Sequence, residues 1–336
     1  MKILITADPF IPVPPIHYGG IERILDMLIK EYLDAGHEVT LIGHPDSKPA
    51  DGCRFIPYSS DKDEIFKNSL LIARSYFKYK FDIIHSFSRL LYLFPLLPFR
   101  VQKIMSYQRE PTMSQIKKAI QLSKKNTIAF TGCSDYISKQ IATVGDSYTV
   151  YNGVPLEAFH FNRNVTADAP LVFLGRIEEI KGTHVAIEVA IKTNKKLIIA
   201  GNIPAEHQQY FEEKVKPFLN ENIIYIGPVN DIQKNELLQK AAAFLMPILW
   251  NEPFGIVMAE AMACGTPVIG FARGSVPEVV KNKVTGYTCT NIEEMIIAVN
   301  NISKINREAV RADAEGRFSA KVIADTYIQL YKSRLS

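Results

Sequence analysis

The 336-residue sequence lacks features that mark several protein classes. Its four cysteines lie far apart, without a C-x-x-C pair or nearby paired histidines, which argues against a zinc site or a disulfide framework. Free thiols in a reducing compartment are the simpler interpretation, so we expect a cytoplasmic protein. The G-x-G-x-x-G fingerprint of dinucleotide binding is absent, which disfavours a dehydrogenase.

Long apolar runs and a large charge excess are also missing. The longest strongly apolar stretch, LLYLFPLLPF at 90–99, is too short to span a bilayer and contains two prolines. We expect a buried helix and turn there, with a membrane-facing or acceptor-facing surface as the alternative. The net charge of +4 is too small and too dispersed to indicate a nucleic acid partner, but it permits weak attraction to an anionic membrane surface. MKILITAD runs directly into strand-like sequence, so we expect no signal peptide.

Short apolar runs alternate with helical patterns along the whole chain. The first half has strand patterns at 2–7, 38–43, 82–88, 102–107, 126–132 and 147–153, and helical patterns at 18–37, 62–80, 113–125 and 134–143. After a turn-rich break at 151–170, strands are predicted at 170–175, 196–201, 222–227, 243–247 and 266–271, and helices at 182–194, 206–220, 231–242, 255–264 and 291–303. This alternation predicts an α/β protein with two mostly parallel sheets, which bind ligands at the carboxyl ends of their strands.

The densest chemical signal is NEPFGIVMAEAMACGTPVIGFARGSVPEVV at 251–280. Pro253 fixes the backbone just before a helix that we predict to start near Phe254 or Gly255. The free N–H groups of Gly255, Ile256 and Val257, together with the helix dipole, would then form an anion site suited to a diphosphate.

Two glutamates, eight residues apart, flank this helix start. Glu260 lies just over one turn inside the helix, and its side chain leans back toward the N-terminus, where it could bind paired hydroxyls such as a ribose diol. Glu252 could bind the hydroxyls of a sugar. Alternatively, Glu252 merely favours the helix start and Glu260 is solvated. The apolar neighbours of Glu260 count against that alternative, because a buried carboxylate needs a partner.

GRIEEIKG at 175–182 places two cations at the end of a strand and the start of a helix. There Arg176 and Lys181 could neutralise a diphosphate as it leaves. The alternative is a pair of surface cations that face Glu178 and Glu179.

In the first half, a long proline-rich loop at 8–23 leads to Gly19 and Gly20, which open a helix and permit close approach of a phosphate or sugar. A capping loop is the alternative. His85 ends a predicted strand at the ligand-binding edge and is a candidate catalytic residue, although a lone histidine there is more often structural.

The segments GGIER, HSFSR, YNGVPLEAF, FLGRIEEIKGTHVAIEVA, LIIAG and 251–280 together resemble family 4 glycosyltransferases, which are retaining enzymes of the GT-B fold. The match covers nearly the whole chain, and the E-x7-E segment with GRxxxxKG is specific in combination. The resemblance implies two Rossmann-like domains whose parallel sheets face each other across a central cleft. The domains would be an acceptor-side domain over 1–155, joined by a C-terminal helix at 318–336, and a nucleotide-sugar domain over 156–317.

The resemblance also implies roles for the candidate residues. Arg176 and Lys181 would grip the donor diphosphate. Glu252 would contact the donor sugar, and Glu260 would bind the ribose. The family usually works without a metal, so neither a metal nor another cofactor is expected. Further residues implied to lie at the donor are Gly19, Gly20, Phe254, Gly255, Ile256 and Val257.

This sequence departs from the family pattern in two places. Many relatives carry a histidine where Gln108 stands here, and a small polar residue where Ile248 stands. Gln108 and Arg109, with Tyr18, therefore become candidates for acceptor-side contacts. These departures concern the acceptor chemistry more than the donor site.

We predict a retaining, hexosyltransferase-type enzyme that moves a sugar from a nucleotide-diphosphate donor to an acceptor hydroxyl in glycan, lipid or polysaccharide assembly. UDP is the expected nucleotide from family frequency alone. No well-placed carboxylate nucleophile is visible, so the diphosphate would be stabilised as it leaves and would take the acceptor proton on the same face. The alternatives are a GT-B sugar-nucleotide epimerase and a non-catalytic, two-lobed sugar- or nucleotide-binding protein.

Overall fold

The computed structural model describes residues 1–16, 19–59 and 64–336. These residues form two compact units, one made of Met1–Gly153 with Ala320–Ser336 and the other of Val154–Ser319. Over the described residues, the first unit contains a seven-stranded sheet and the second a six-stranded sheet. All the strand pairings are parallel. The predicted α/β class with two Rossmann-like sheets is confirmed.

The helices and strands alternate in chain order. The strands are β1 Lys2–Thr6, β2 Glu38–Gly43, β3 Arg54–Pro57, β4 Ile83–Ser86, β5 Gln102–Tyr107, β6 Ile128–Gly132, β7 Ser147–Thr149, β8 Leu171–Leu174, β9 Leu197–Ala200, β10 Ile223–Tyr225, β11 Ala243–Met246, β12 Val268–Phe271 and β13 Gly286–Cys289. The helices are α1 Gly20–Asp34, α2 Ile65–Tyr79, α3 Met113–Leu122, α4 Asp135–Ala142, α5 Thr183–Thr193, α6 Gln208–Lys214, α7 Asp231–Lys240, α8 Ile256–Ala263, α9 Val276–Val279, α10 Ile292–Asn300, α11 Arg307–Phe318 and α12 Ala320–Leu335.

The central strands are short runs of branched apolar residues because both faces of each sheet are covered. In β1, the successive side chains of Ile3, Leu4 and Ile5 are all fully buried, although they point alternately to opposite faces. Leu171 and Val172 of β8 are fully buried in the same way. A strand buried on one face only would instead alternate apolar and polar residues.

Both sheets share one topology. The first has the strand order β3-β2-β1-β4-β5-β6-β7 and the second β10-β9-β8-β11-β12-β13. In each, the chain steps outward on one side of its first strand and then returns to build the other side. The order therefore reverses between β1 and β4 and between β8 and β11. Ligands bind at such switch points, beyond the carboxyl ends of the strands.

The last helix, α12, belongs to the first unit and packs on α1. Tyr331 of α12 is fully buried, and its hydroxyl lies 3.0 Å from the hydroxyl of Tyr32 in α1. None of the described helices is both long enough and apolar enough to cross a membrane.

Several elements lie outside the sequence predictions. Strands β3 and β13 and helix α11 were not predicted, because the first two are only four residues long and α11 carries six charged residues among its twelve. The segment at 90–99 forms a 3₁₀ helix over Leu90–Leu96 rather than an α-helix. Its burial is also only partial, since Leu91 is 45% exposed and Phe99 is 38% exposed.

Candidate active site

The loops that follow β8 and β11 meet at the switch point of the second sheet. Gly182 closes the first loop with a φ of +75°, and a Cβ at this position would lie 2.0 Å from the carbonyl oxygen of Pro247 in the second loop. Only glycine fits there, both for its backbone conformation and for this approach. The N–H of Leu249 also donates to the carbonyl oxygen of Ile180 at 2.8 Å. The two loops therefore hold each other in place.

Lys181 and Glu252 form an ion pair where these loops meet. The Lys181 Nζ lies 2.8 Å from the Glu252 Oε2, and their side chains are only 18% and 11% exposed. The indole N–H of Trp250 donates to the same carboxylate oxygen at 3.1 Å. The ammonium of Lys181 also lies 4.7 Å from the centroid of the Trp250 ring, within cation–π range. Two of the predicted site residues, Lys181 and Glu252, therefore lie at one site.

The backbone of Glu252 is held from its other side by the loop after β12. Gly274 has a φ of +57°, and a Cβ here would lie 2.3 Å from the carbonyl oxygen of Glu252. The N–H of Ser275 donates to that same oxygen at 2.8 Å. Three loops, each following a strand, thus orient one carboxylate.

Helix α8 begins immediately after this loop. Gly255 precedes its first residue with a φ of +71°, and the N–H of Met258 donates to the Gly255 carbonyl oxygen at 2.8 Å. No described residue accepts a hydrogen bond from the N–H groups of Gly255, Ile256 or Val257. These donors, at the positive end of the helix dipole, are available to an anion.

The side chain of Phe254 packs in the core of the second unit and does not face a ligand site. Its side chain is 2% exposed, and its ring packs against that of Phe318 with centroids 5.7 Å apart. This packing fixes the position from which the helix starts.

Glu260 lies inside α8 and is 7% exposed. Its Oε1 forms an ion pair with the ammonium of Lys234 in α7, which also lies 3.3 Å from Asp231 Oδ1. The partner that a carboxylate in this apolar setting needs is therefore Lys234. A solvated Glu260 is excluded by its burial.

Arg176 is more open than Lys181. Its Nη2 lies 2.9 Å from Glu178 Oε1, and its side chain is 42% exposed while that of Glu178 is 5% exposed. His207 Nε2 lies 3.4 Å from the other oxygen of Glu178. Arg176 therefore does face Glu178, as the alternative interpretation of this segment expected. Its exposed guanidinium is nevertheless accessible to a ligand.

His85 has a structural environment. It is fully buried, with Nδ1 2.5 Å from the hydroxyl of Tyr331 and Nε2 2.6 Å from the Oγ of Ser106. Burial lowers the pKa of His85 to about 3, so its ring is neutral at physiological pH. Both ring nitrogens are occupied within the core of the first unit. This argues against the catalytic role that its place at a strand end had indicated.

The other first-unit candidates occupy varied positions. Gly20 is the first residue of α1, and a Cβ on Gly19 would lie 2.6 Å from Pro15 Cβ, so the chain is tightly packed there. Gln108 accepts a hydrogen bond from the Asn152 amide at 2.8 Å, and Arg109 is exposed. Tyr18 lies outside the described residues.

Two carboxylates near the first switch point were not predicted as site residues. Asp8 follows β1, and Glu22 is a buried residue in the first turn of α1. Burial raises the pKa of both carboxyls, and the charge of Asp8 raises that of Glu22 further. The cations Arg89 and Arg109 act in the opposite direction on Asp8.

Comparison with known proteins agrees with this geometry. A family model described as glycosyl transferases group 1 matches residues 157–317, which is nearly all of the second unit. Spore coat protein SA of Bacillus subtilis is 24% identical, in an alignment covering 99% of this chain and 99% of that protein. Residues 157–317 are therefore similar to the group 1 glycosyl transferases.

Solved structures resemble the whole chain. AviGT4, a glycosyltransferase involved in avilamycin A biosynthesis, has a TM-score of 0.78 at 24% identity and covers 99% of this chain and 98% of its own. Anabaena HepE, solved in complex with UDP and glucose, has a TM-score of 0.75 at 17% identity, covering 99% and 100%. The fold of this chain is therefore the GT-B fold.

Three residues that contact the candidate site residues were not predicted from the sequence. Trp250 and Gly274 bracket Glu252, and Lys234 neutralises Glu260. A glycine followed by Ser-Val-Pro signals a turn, which could have drawn attention to Gly274. The pairing of Lys234 with Glu260 spans 26 residues and two elements, so no local pattern indicates it. Among the described residues, no three His, Cys, Asp or Glu side chains form a group that could hold a metal ion.

Proposed function

We propose that this glycosyltransferase transfers a sugar from a UDP-sugar to an acceptor hydroxyl with retention of configuration. The observation that carries the proposal is the convergence at one switch point of the Lys181–Glu252 ion pair and the open N-terminus of α8. That combination offers a cation and backbone donors for a diphosphate, and a carboxylate for sugar hydroxyls.

The nucleotide would lie against α8, with its ribose diol bound by Glu260. This carboxylate is buried and forms an ion pair with Lys234, which would orient it as an acceptor of hydrogen bonds from the hydroxyls. HepE, which shares the fold, is solved with UDP, and this supports a uridine nucleotide for the present chain.

During transfer, negative charge develops on the diphosphate as the anomeric bond breaks. Lys181, the exposed guanidinium of Arg176 and the N–H groups of Gly255, Ile256 and Val257 would stabilise that charge. We propose that a diphosphate oxygen then accepts the acceptor proton on the same face, without a metal. Turnover should accordingly be unchanged by chelators.

The acceptor would be bound by the first unit. Asp8 and Glu22 are partly desolvated carboxylates at its switch point, and such groups bind hydroxyls strongly. Arg109 and Gln108 follow β5 at the same sheet edge. The four cysteines are free thiols, in keeping with a cytoplasmic enzyme.

The test is to incubate the full chain with a panel of UDP-sugars, alone and with sugar or lipid alcohols, and to follow the products by NMR. We expect a glycoside whose anomeric configuration matches the donor, formed only with an acceptor. An epimerised UDP-sugar without acceptor would indicate an epimerase. Binding without any conversion would indicate a non-catalytic protein.

A further inference from the structure

The positive charge of this chain is concentrated in residues 65–134. That stretch holds twelve lysines and arginines but only two acidic residues, a formal charge of +10, while the rest of the chain carries −6. The expectation of a dispersed charge excess is therefore wrong. The whole stretch belongs to the first unit, so an anionic partner would be attracted to that unit.

Helix α2 presents apolar side chains to solvent. Phe66 is 79% exposed and Phe77 is 46% exposed. With the partly exposed Leu70 and the exposed Arg74, they recur at spacings of three and four residues, which places them along one face of the helix. The opposite side of the helix is anchored in the unit through the fully buried Ile72.

The apolar stripe extends onto the turn that follows the 3₁₀ helix Leu90–Leu96. The ring centroid of Phe99 lies 5.1 Å from that of Phe77, and Phe99 is 38% exposed. Beneath this turn, the buried ammonium of Lys103 donates to the carbonyl oxygens of Phe99 at 2.7 Å and of Val101 at 2.9 Å. The turn that presents Phe99 is therefore held firmly.

Exposed cations accompany these aromatic residues. The Nζ of Lys80 lies 5.6 Å from the centroid of the Phe77 ring. The N–H of Lys124, after α3, donates to the Leu97 carbonyl oxygen at 2.8 Å. This bond brings the basic residues that follow α3 beside the turn that carries Phe99. The exposed cations of α2, α3 and the loops after them, none of which forms an ion pair with another described residue, are Arg74, Lys78, Lys80, Arg100, Lys117, Lys118, Lys124 and Lys125.

We propose that this basic aromatic face docks the enzyme on the surface of a membrane that contains anionic phospholipids. Its residues are Phe66, Leu70, Arg74, Phe77, Lys78, Lys80, Phe99 and Arg100. Exposed phenylalanines gain free energy by entering the headgroup boundary, and unpaired cations beside them are attracted to lipid phosphates. Single-stranded nucleic acid, the other polyanion to consider, binds in grooves, whereas Phe66 stands on the outer face of a helix.

The first test is co-sedimentation of the full chain with lipid vesicles. We expect binding to phosphatidylcholine vesicles that contain phosphatidylglycerol, weaker binding at high salt, and little binding to phosphatidylcholine alone. The triple variant Arg74→Glu, Lys78→Glu, Arg100→Glu should lower the partition coefficient on the order of 100-fold or more, since each basic residue near the surface contributes roughly 1 kcal/mol. The matched control is Lys196→Glu, Lys240→Glu, Lys304→Glu, which makes the same charge change at exposed lysines of the second unit.

A second variant separates the apolar contribution. Phe66→Ser removes an aromatic ring that is mostly in solvent, so it should leave thermal stability unchanged and still reduce vesicle binding about 10-fold. UDP binding should be unchanged in the triple variant of Arg74, Lys78 and Arg100 and in Phe66→Ser, because neither changes the second unit. A loss of vesicle binding is thereby kept distinct from a defect at the donor site.

Three results would overturn the membrane assignment. Equal binding to vesicles with and without phosphatidylglycerol would contradict the role of charge. Equal losses in the test and control triple variants would contradict the location of the face. Binding of a single-stranded oligonucleotide that depends on Arg74, Lys78 and Arg100, with no vesicle binding, would assign the face to nucleic acid instead.

Discussion

The two units share a strand order but place different chemistry at the corresponding point. At the switch between β8 and β11, the second unit holds an ion pair, an open helix N-terminus and a second buried carboxylate one turn into the helix. At the switch between β1 and β4, the first unit clusters the hydroxyls of Thr6, Ser86 and Ser88 within 3.2 Å of one another. The shared topology fixes where a ligand can bind, while the loops decide which ligand it is.

The units also differ in how they satisfy their buried polar groups. In the second unit, Glu252 and Glu260 each hold a lysine, and such ion pairs can exchange a partner for a ligand. In the first unit, His85 joins Ser106 to Tyr331 of α12 in a closed network. The first arrangement suits binding, and the second suits the attachment of a helix. The following predictions test this contrast.

The largest effect is expected at Glu252. Glu252→Gln keeps the size of the side chain but removes the charge that Lys181 and Trp250 hold in place. Loss of a contact that strengthens in the transition state should lower kcat about 100-fold, with UDP affinity nearly unchanged. The release of UDP from a UDP-sugar measures this, with the exposed Glu293→Gln of α10 as control. An equal loss of UDP affinity would contradict the sugar-facing role of Glu252.

The loop beneath Glu252 should be the next most sensitive position. Gly274→Ala forces a Cβ to within 2.3 Å of a carbonyl oxygen at a φ of +57°, so we expect the second unit to lose about 3 kcal/mol of stability. Urea unfolding followed by fluorescence of Trp250, the single tryptophan, reports on this unit. Gly316→Ala is the matched control, because its Cβ meets open space within α11 and should stabilise by about 0.5–1 kcal/mol. Equal stability of the two variants would contradict the packing of this loop.

Lys181 is expected to have a somewhat smaller effect, on binding. Lys181→Ala removes one charge-assisted contact to the diphosphate, worth about 2 kcal/mol, and should weaken UDP binding roughly 30-fold. Lys192→Ala is a suitable control, since this lysine of α5 forms a surface pair with Glu188. Calorimetric titration measures both. Unchanged affinity in Lys181→Ala would remove Lys181 from the donor site.

The smallest effect concerns His85 and pH. Its pKa is lowered to about 3 from an ordinary value of 6.5, because burial disfavours the charged ring. The unfolded chain takes up a proton at His85 near pH 6.5, whereas the folded unit does so only near pH 3. The contribution of neutral His85 to the stability of the first unit is therefore complete above pH 6.5 and is lost as the pH falls toward 3. Between pH 7 and pH 5.5 the first unit should lose about 1 kcal/mol through this group.

His85→Gln should remove that component of the pH dependence of stability. The pH profile of kcat should keep the shape that it has in the wild type. Hydrogen exchange of the amides in β4 and β5 follows the stability of the first unit. A changed pH profile of kcat with unchanged exchange would restore His85 as a catalytic candidate.

Much of the fold follows from local sequence patterns. Apolar runs such as KILIT and LVFL are long enough to mark buried strands, and Gly255 after Pro253 marks the start of α8 within a residue or two. Strand β13 was missed because GYTC is short and half polar. Helix α11 was missed because its charges obscure the buried positions of Val310, Ala314 and Phe318.

The site was less predictable, since its partners are distant along the chain. The place of His85 at a strand end was correctly inferred, but its burial depends on Tyr331, which lies 246 residues later. Likewise, the sequence around Glu252 shows no sign that Gly274 supports it from another loop. Local patterns identified which edge of each sheet carries chemistry, and tertiary packing decided which side chains are accessible.

The most direct test of the donor assignment is calorimetric titration of UDP and 2′-deoxy-UDP into the wild-type chain and Glu260→Ala. If Glu260 binds the ribose diol, the wild type should bind UDP at least about 10-fold more tightly than 2′-deoxy-UDP. Glu260→Ala should bind both nucleotides weakly and equally. A Glu260→Ala variant that is folded, binds UDP like the wild type and still discriminates against 2′-deoxy-UDP would contradict the account.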